Sequence, residues 1–372
     1  MSKAADLART ASASETALSN RNLMINGDMQ IFQRTASATA GANTYQTADR
    51  WIILEFSSGA FTSEKYTMSL AELNTTGHGQ ALELNVTTAD TSIGADEFCA
   101  VRQVIEAQNL QQLQYGTAAA KDLTLSFWVK SKIAGIYCAQ ILKVDSTTYF
   151  LPVEYTINSV DTWEYKTITF TPTAGSTSLI TNSGGIINND NGAGMQVTFG
   201  LAWGSSYHGA NNTWTADAKY STSNQVNWMS STSNDFYLTG VQLEVGTVAT
   251  PFEHRSYGQN LALCNRYYWN TYNGAAIGSN TGQVNVIGRS AGGQSYETIS
   301  EGNFPTTMRA VPTMQIYNPI TGTAGSIRGD SSNFATCQIN FRGVNYYSFN
   351  MAGVAIGQST FVSGNVTADA EL

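Results

Sequence analysis

Apolar side chains recur at every second position in several separate stretches of this chain, the period of a strand with one buried face. In Gly79–Thr87, Leu82, Leu84 and Val86 alternate with Ala81, Glu83 and Asn85. In Leu123–Ser131, Leu123, Leu125, Phe127 and Val129 share a face opposite Trp128 and Lys130. Ile168 and Phe170 share a face after Trp163, and Met195, Val197, Phe199 and Leu201 form another row. Tyr237, Thr239, Val241, Leu243 and Val245 alternate with Leu238, Gly240, Gln242 and Glu244. A strand is predicted at Leu23–Ile25 before an Asn26-Gly27 turn, and Asp49–Trp51 opens the next. Gly, Asn and Ser turns separate these runs, and no repeat of roughly 20–50 residues is present, so the pattern predicts an all-β sandwich or barrel and not a solenoid.

Gly246 and Pro251 stop the last of these strands, and Tyr257–Asn265 predicts a short helix with Leu261 and Cys264 one turn apart. After Trp269 a smaller β-rich domain is expected, with strands in VNVIGR, TMQIYN, ATCQINFRG and VNYYSFNMAG. A hairpin is predicted to join Phe341 to Tyr346–Phe349. GTAGSIRGDSSN reads as an exposed loop, and its Arg328-Gly329-Asp330 as a chance tripeptide. The expected organisation is an N-terminal segment over 1–19, a β-sandwich over 20–255 and a β-rich tip over 256–372. In the first segment only Leu7, Ala11 and Leu18 form an apolar thread, enough for a marginal helix that is either frayed or ordered by neighbouring chains.

Composition narrows the function. Only 12% of the 372 residues are charged, about half the usual share, so the surface is hydrated by hydroxyls and amides. With a net charge of −8 and scattered Lys and Arg, recognition of nucleic-acid phosphates has no support. Cys99, Cys138, Cys264 and Cys337 form no CxxC pair, so zinc is not expected and buried free thiols are. No apolar run reaches the roughly 20 residues of a membrane span, and the N-terminus lacks the apolar core of a signal peptide. These features lead to the expectation of synthesis in a reducing cytoplasm without membrane insertion. His78, His208 and His254 fit no HExxH pattern and no GxSxG elbow occurs, so neither an enzyme nor a cofactor is expected.

The most suggestive chemistry lies between Trp203 and Asp235, a connection too long to be idle. Tyr207, Trp214, Tyr220 and Trp228 stand there among Asn211, Asn212 and Asp217. Sugar recognition uses this mixture: a ring packs on the apolar face of a pyranose while amides and carboxylates bind its hydroxyls. These seven residues are the candidate glycan site, with Trp214 and Trp228 as stacking rings. The competing reading is that the same aromatics anchor a long loop, and Trp203, ending a strand, is assigned to the core.

Two resemblances add to this. TGVQLEVGTVATPFEHRSYGQNLALCNRYY resembles a segment of bacteriophage tail-fibre proteins that lies between a sandwich and a C-terminal tip. The succession NLMINGDMQ, GQALELNV, LTLSFWVKS, WEYKTITFTP and NDFYLTGVQLEV is similar to carbohydrate-binding modules with a galactose-binding-like jelly roll. The resemblances imply a homotrimeric receptor-binding protein of the virion, joined to other virion proteins through its N-terminus and adhering to host surface glycans. A structural virion component, such as a capsid fibre or decoration protein, is the alternative, and a polysaccharide-degrading enzyme the third option. Modules of this kind often hold calcium between the opening turn and the closing strand. Here Gln30 fills an acidic position and leaves Asp28 and Asp235, so no metal site is expected.

Overall fold

The computed structural model describes residues 20–41, 43–272, 277, 284–289, 297–329, 333–334, 336–352 and 359–372. The N-terminal segment over 1–19 lies outside the described residues, as does Asp330 of the tripeptide. The chain forms two compact units, one of Met1–Gln30, Ser37–Gln46 and Trp51–Arg255, the other of Ile31–Ala36, Thr47–Arg50 and Ser256–Leu372. Ile31–Ala36 and Thr47–Arg50, which the sequence reading placed with the sandwich, thus pack with the second unit.

The first unit is an all-β jelly-roll sandwich. One antiparallel sheet contains β1 (Ser37–Thr39), β4 (Ala60–Thr67), β5 (Gln80–Thr88), β12 (Asp235–Val245), β7 (Leu123–Ser131) and β10 (Glu164–Phe170), in that spatial order. The other contains β2 (Thr44–Tyr45), β3 (Trp51–Phe56), β6 (Phe98–Glu106), β11 (Ala193–Trp203), β8 (Gly135–Lys143) and β9 (Tyr149–Ile157). Alternation decides which side chains meet between the sheets. Leu82, Leu84, Leu125, Phe127, Phe236 and Leu238 point in from the first sheet and Trp51, Val101, Tyr137, Val197 and Phe199 from the second, all buried. Phe127 and Phe199 meet edge to face at 4.9 Å, and Tyr137 lies 5.9 Å from Phe236.

The expected strands at 79–87, 123–131, 163–170, 195–203 and 235–245 all form. Leu23–Ile25 does not form a ladder strand. It lies beside β12 through single bonds, from the Leu23 amide to the Leu243 carbonyl and from the Val241 amide to the Gly27 carbonyl. β12 bulges between Thr239 and Gln242. Gly240 sits there at φ +59°, and a Cβ on it would lie 2.4 Å from the His78 ring, so the position requires glycine. A short helix, α1 (Leu70–Thr76), begins with a reciprocal capping box between Ser69 and Glu72.

The second unit opens with α2 (Tyr257–Asn265), capped by Ser256 and Gln259. Then come β13 (Tyr268–Asn270), β14 (Val284–Arg289), β15 (Glu297–Asn303), β16 (Thr313–Tyr317), β17 (Ile327–Gly329), β18 (Asn333–Phe334), β19 (Thr336–Arg342), β20 (Tyr346–Ala352) and β21 (Ser359–Asp369). β21 pairs with β13, β14, β16 and β17, while β20 lies between β15 and β19. β19 and β20 form the predicted hairpin. The expected exposed loop at 322–333 is corrected in part: Ile327–Gly329 is a strand on β21, and Ser326 and Ile327 are buried. Its apolar core includes Phe304, Met314, Ile316, Tyr347, Phe349 and Val366.

Charged and aromatic groups close this unit at its chain ends. The Arg50 guanidinium lies 3.4 Å over the Tyr267 ring and pairs with Glu371; Arg34 lies 3.6 Å over Tyr268 and reaches Asp369 at 3.2 Å. The buried Asp49 carboxylate accepts the Gln33 amide at 2.6 Å. A fixed counter-charge and a ring face together make buried guanidinium tolerable.

Candidate functional site

All seven candidate residues lie on the segment that leaves β11 and returns to β12. Two backbone bonds and one side-chain contact fix its root: the Gly204 amide donates to the Glu97 carbonyl at 2.8 Å, the Ser206 amide to the Ala95 carbonyl at 3.0 Å, and His208 Nε2 lies 2.9 Å from the Trp203 carbonyl. The segment next runs along the free edge of β9. The Asn212 amide donates to the Pro152 carbonyl at 2.8 Å, Phe150 and Thr215 exchange backbone bonds, and Asn211 Oδ1 accepts the Glu154 amide at 3.0 Å. These bonds cover an edge that would otherwise be open to another chain. Residues 220–226 then cross the outward side of the second sheet, held by Thr222 and Asn224 donating to the Glu154 carboxylate at 2.5 and 3.0 Å.

The predicted set therefore divides. Trp214 is 1% exposed and its Nε1 donates to the Thr171 carbonyl at 2.8 Å. Trp228 is fully buried, meets Phe61 edge to face at 5.4 Å and donates Nε1 to the Asp235 carbonyl at 3.0 Å. Neither ring has a face open to a sugar. Both are anchors, because a buried indole needs an acceptor and each has one. Asn211 Oδ1 and the Asn212 backbone amide are engaged on the β9 edge, both residues are exposed, and Asp217 is exposed at the turn before Lys219. Tyr207 and Tyr220 do come together, at 5.6 Å.

They meet over a row of rings that sequence order conceals. Strand register sets Phe56 opposite Phe98 and Phe98 opposite Trp203 on the outward side of the second sheet. Phe98 stacks on Trp203 at 5.1 Å and 24°, and Tyr220 stacks on the indole at 4.5 Å and 8°. Tyr207 stands edge-on to Phe98 at 5.8 Å and to Trp203 at 5.1 Å. Phe56, 5.8 Å from Phe98, is 57% exposed; Phe98 and Tyr207 are half-buried. The outcome is an open ring surface of Phe56, Phe98 and Tyr207 backed by two buried or half-buried stacked rings. Phe56 and Phe98 escaped the sequence reading because WIILEF and FCAV look like core, and no signal short of the register identifies them.

Carboxylates border this surface. Glu97 accepts the Gly94 amide at 2.5 Å and the Ser58 hydroxyl at 2.8 Å, and these bonds hold its pKa below the usual range. Burial, and then the Asp96 charge, raises the Tyr207 phenol. The arrangement offers an apolar platform rimmed by hydrogen-bond acceptors. Among the described residues no group of three or more His, Cys, Asp or Glu is arranged to hold a metal ion. Asp28 accepts the Gln30 amide at 2.6 Å and lies in the field of His254 and Arg255. Asp235 stands opposite Asn85, six positions before Val241 on β12, or about 20 Å along the strand. The four cysteines are buried free thiols.

Beneath 220–226 the outward side of the sheet is polar. One row across the strands is Arg102, Thr198, Gln140 and Pro152. Gln140 is 1% exposed, and neither its amide nitrogen nor its oxygen has a partner; the same holds for Trp203 Nε1 and Gln225 Nε2.

No family model matches the chain, and no curated protein matches it. Among solved structures it is similar to a Bacteroides thetaiotaomicron protein assigned, provisionally, to sugar binding, with 13% identity over 60% of this chain and 99% of that one and a TM-score of 0.33. It is also similar to the family 11 carbohydrate-binding module of a Clostridium thermocellum cellulosomal cellulase, with 14% identity over 59% of this chain and 98% of the module, TM-score 0.28. A third is the enzymatically active domain of bacteriophage CBA120 tailspike protein 4, with 10% identity over 60% of this chain and 21% of that one, TM-score 0.29. The fold assignment rests on the sheet topology itself.

Proposed function

We propose that this chain is a non-catalytic glycan-binding protein of a bacteriophage tail fibre, trimeric in the particle, joined to other virion proteins through its N-terminal segment, and adhering to host surface glycans. The observation that carries the glycan reading is Phe56: a phenyl ring 57% exposed, in a row with Phe98 and Tyr207 and rimmed by carboxylates. Exposed aromatic surface backed by packed rings and flanked by acceptors suits a pyranose. The virion reading is supported by the resemblance of the 239–268 segment to tail-fibre proteins. A trimer would present three such surfaces and gain avidity from weak single contacts.

The test is a host-envelope glycan array probed with the full chain and with Phe56→Ser. Binding by the wild type that the variant loses, with no sugar released on long incubation, supports adhesion. Release of reducing ends would make the chain an enzyme. Absence of binding by an assembled trimer would favour a decoration role. Light scattering on the same sample checks for a particle three times the 40.0 kDa chain.

A further inference from the structure

We propose that the site takes the end of a neutral glycan, roughly one or two sugar residues, and not a long chain laid across the sheet. The inference rests on the glycan reading above and concerns the length and charge of its ligand. The face that could carry a long chain is occupied by the protein's own segment. Tyr220 lies flat on Trp203 at 4.5 Å and 8°, with Phe150 at 5.2 Å and 74° to it and Arg102 5.7 Å from its centre. It sits where a sugar ring following one on Phe98 would have to stack. Its backbone is fixed on both sides: the Tyr220 amide donates to Tyr207 at 2.9 Å, and the Gly209 amide to Ser221 at 2.8 Å.

The groups under this cover point the same way. Gln140 keeps a buried amide with both ends unpartnered, and Trp203 Nε1 and Gln225 Nε2 are buried and unpartnered as well. Buried polar atoms are seldom left so, and here the covering segment, whose Thr222 and Asn224 side chains are engaged with Glu154, leaves them unmet. The row is therefore shut off from an external ligand while Tyr220 is in place. What remains open is the stretch from Phe56 through Phe98 to Tyr207, with successive centroids 5.8 Å apart. That is room for a chain terminus. Asp96 and Glu97 beside it repel an acidic sugar.

The experiment is calorimetric titration of the full chain with cello-, malto- and galacto-oligosaccharides of one to six residues, and with oligogalacturonates of matching length. The expected result is affinity that levels off at the dimer, with the hexamer within about twofold of it and acidic oligomers at least about tenfold weaker. A gain of about tenfold or more from dimer to hexamer would overturn the proposal, as would equal affinity for the acidic series. Tyr220→Ala exposes the Trp203 face and should make the hexamer the better ligand, whereas Tyr220→Phe keeps the stack and should behave as wild type. A hexamer-to-dimer ratio unchanged in a folded Tyr220→Ala chain would remove Tyr220 as the limit. If no series binds at any length and the wild-type chain binds nothing on the array, the glycan reading itself fails; binding with the wrong length dependence defeats only this inference.

Discussion

The Val241 amide donates to the Gly27 carbonyl at 2.9 Å, and a Cβ on Gly27 would lie 2.0 Å from the Val241 oxygen. The opening Asn-Gly turn is thus pressed against the closing strand at backbone distance. Asn22 reinforces the junction: its Nδ2 donates to the Val241 carbonyl at 3.1 Å and its Oδ1 accepts the Leu243 amide at 3.1 Å. Gly27→Ala must push the two segments apart and should cost about 3 kcal/mol. Urea denaturation would read this as a lower midpoint, and an unchanged midpoint would mean that the turn can move without loss.

Trp214 and Trp228 should behave as core residues. Truncating either to Ala removes a buried indole and strands a carbonyl acceptor, at a cost of about 3–5 kcal/mol. Phe56→Ser should leave the midpoint nearly unchanged while abolishing glycan binding. Thermal unfolding and the array together check the contrast, which would be reversed if the indoles were the contact surface.

Glu72 joins α1 to the outward side of the first sheet. It accepts Lys130 Nζ at 2.8 Å, Trp163 Nε1 at 3.0 Å and the Ser69 amide at 3.0 Å. Burial alone would raise its carboxyl, but the bonds from Lys130, Trp163 and Ser69 outweigh this and hold it well below the usual range. Lys130 in turn lies 4.1 Å from the Tyr237 ring centre. Glu72→Gln should cost about 2–3 kcal/mol by leaving the ammonium without its counter-charge. A double-mutant cycle with Lys130→Met should recover part of that loss; strict additivity would deny the coupling.

His78 makes stability fall in acid. Burial, with the nearby His254 adding to it, pulls its pKa from 6.5 down to about 4. The folded state keeps the ring neutral between those values while the unfolded chain takes up a proton. Stability is therefore full above 6.5 and declines as pH falls toward 4, by about 1.4 kcal/mol per pH unit. Unfolding free energies of His78→Gln across this range should show a slope shallower by about that amount. An identical slope would assign the acid limb to other groups.

The amino-acid pattern alone determined the strands that have one face between the sheets and one toward water, since only those alternate. β5 and β10, whose burial alternates along the strand, were legible in this way, and α2 was legible from the stop at Pro251 and the one-turn spacing of Leu261 and Cys264. β8 was not legible, because its residues from Tyr137 to Lys143 are buried on both faces. The segment after Trp203 covers its outward side, and a two-sided burial leaves no period to read. The same segment decided the site. The sequence singled out the stretch from Trp203 to Asp235 and its aromatic side chains, and Tyr207 and Tyr220 do meet there. Which rings stay open is set by the register that aligns Phe56, Phe98 and Trp203, and by the path that buries Trp214 and Trp228. Those are relations between residues more than forty positions apart, and local chemistry has no access to them.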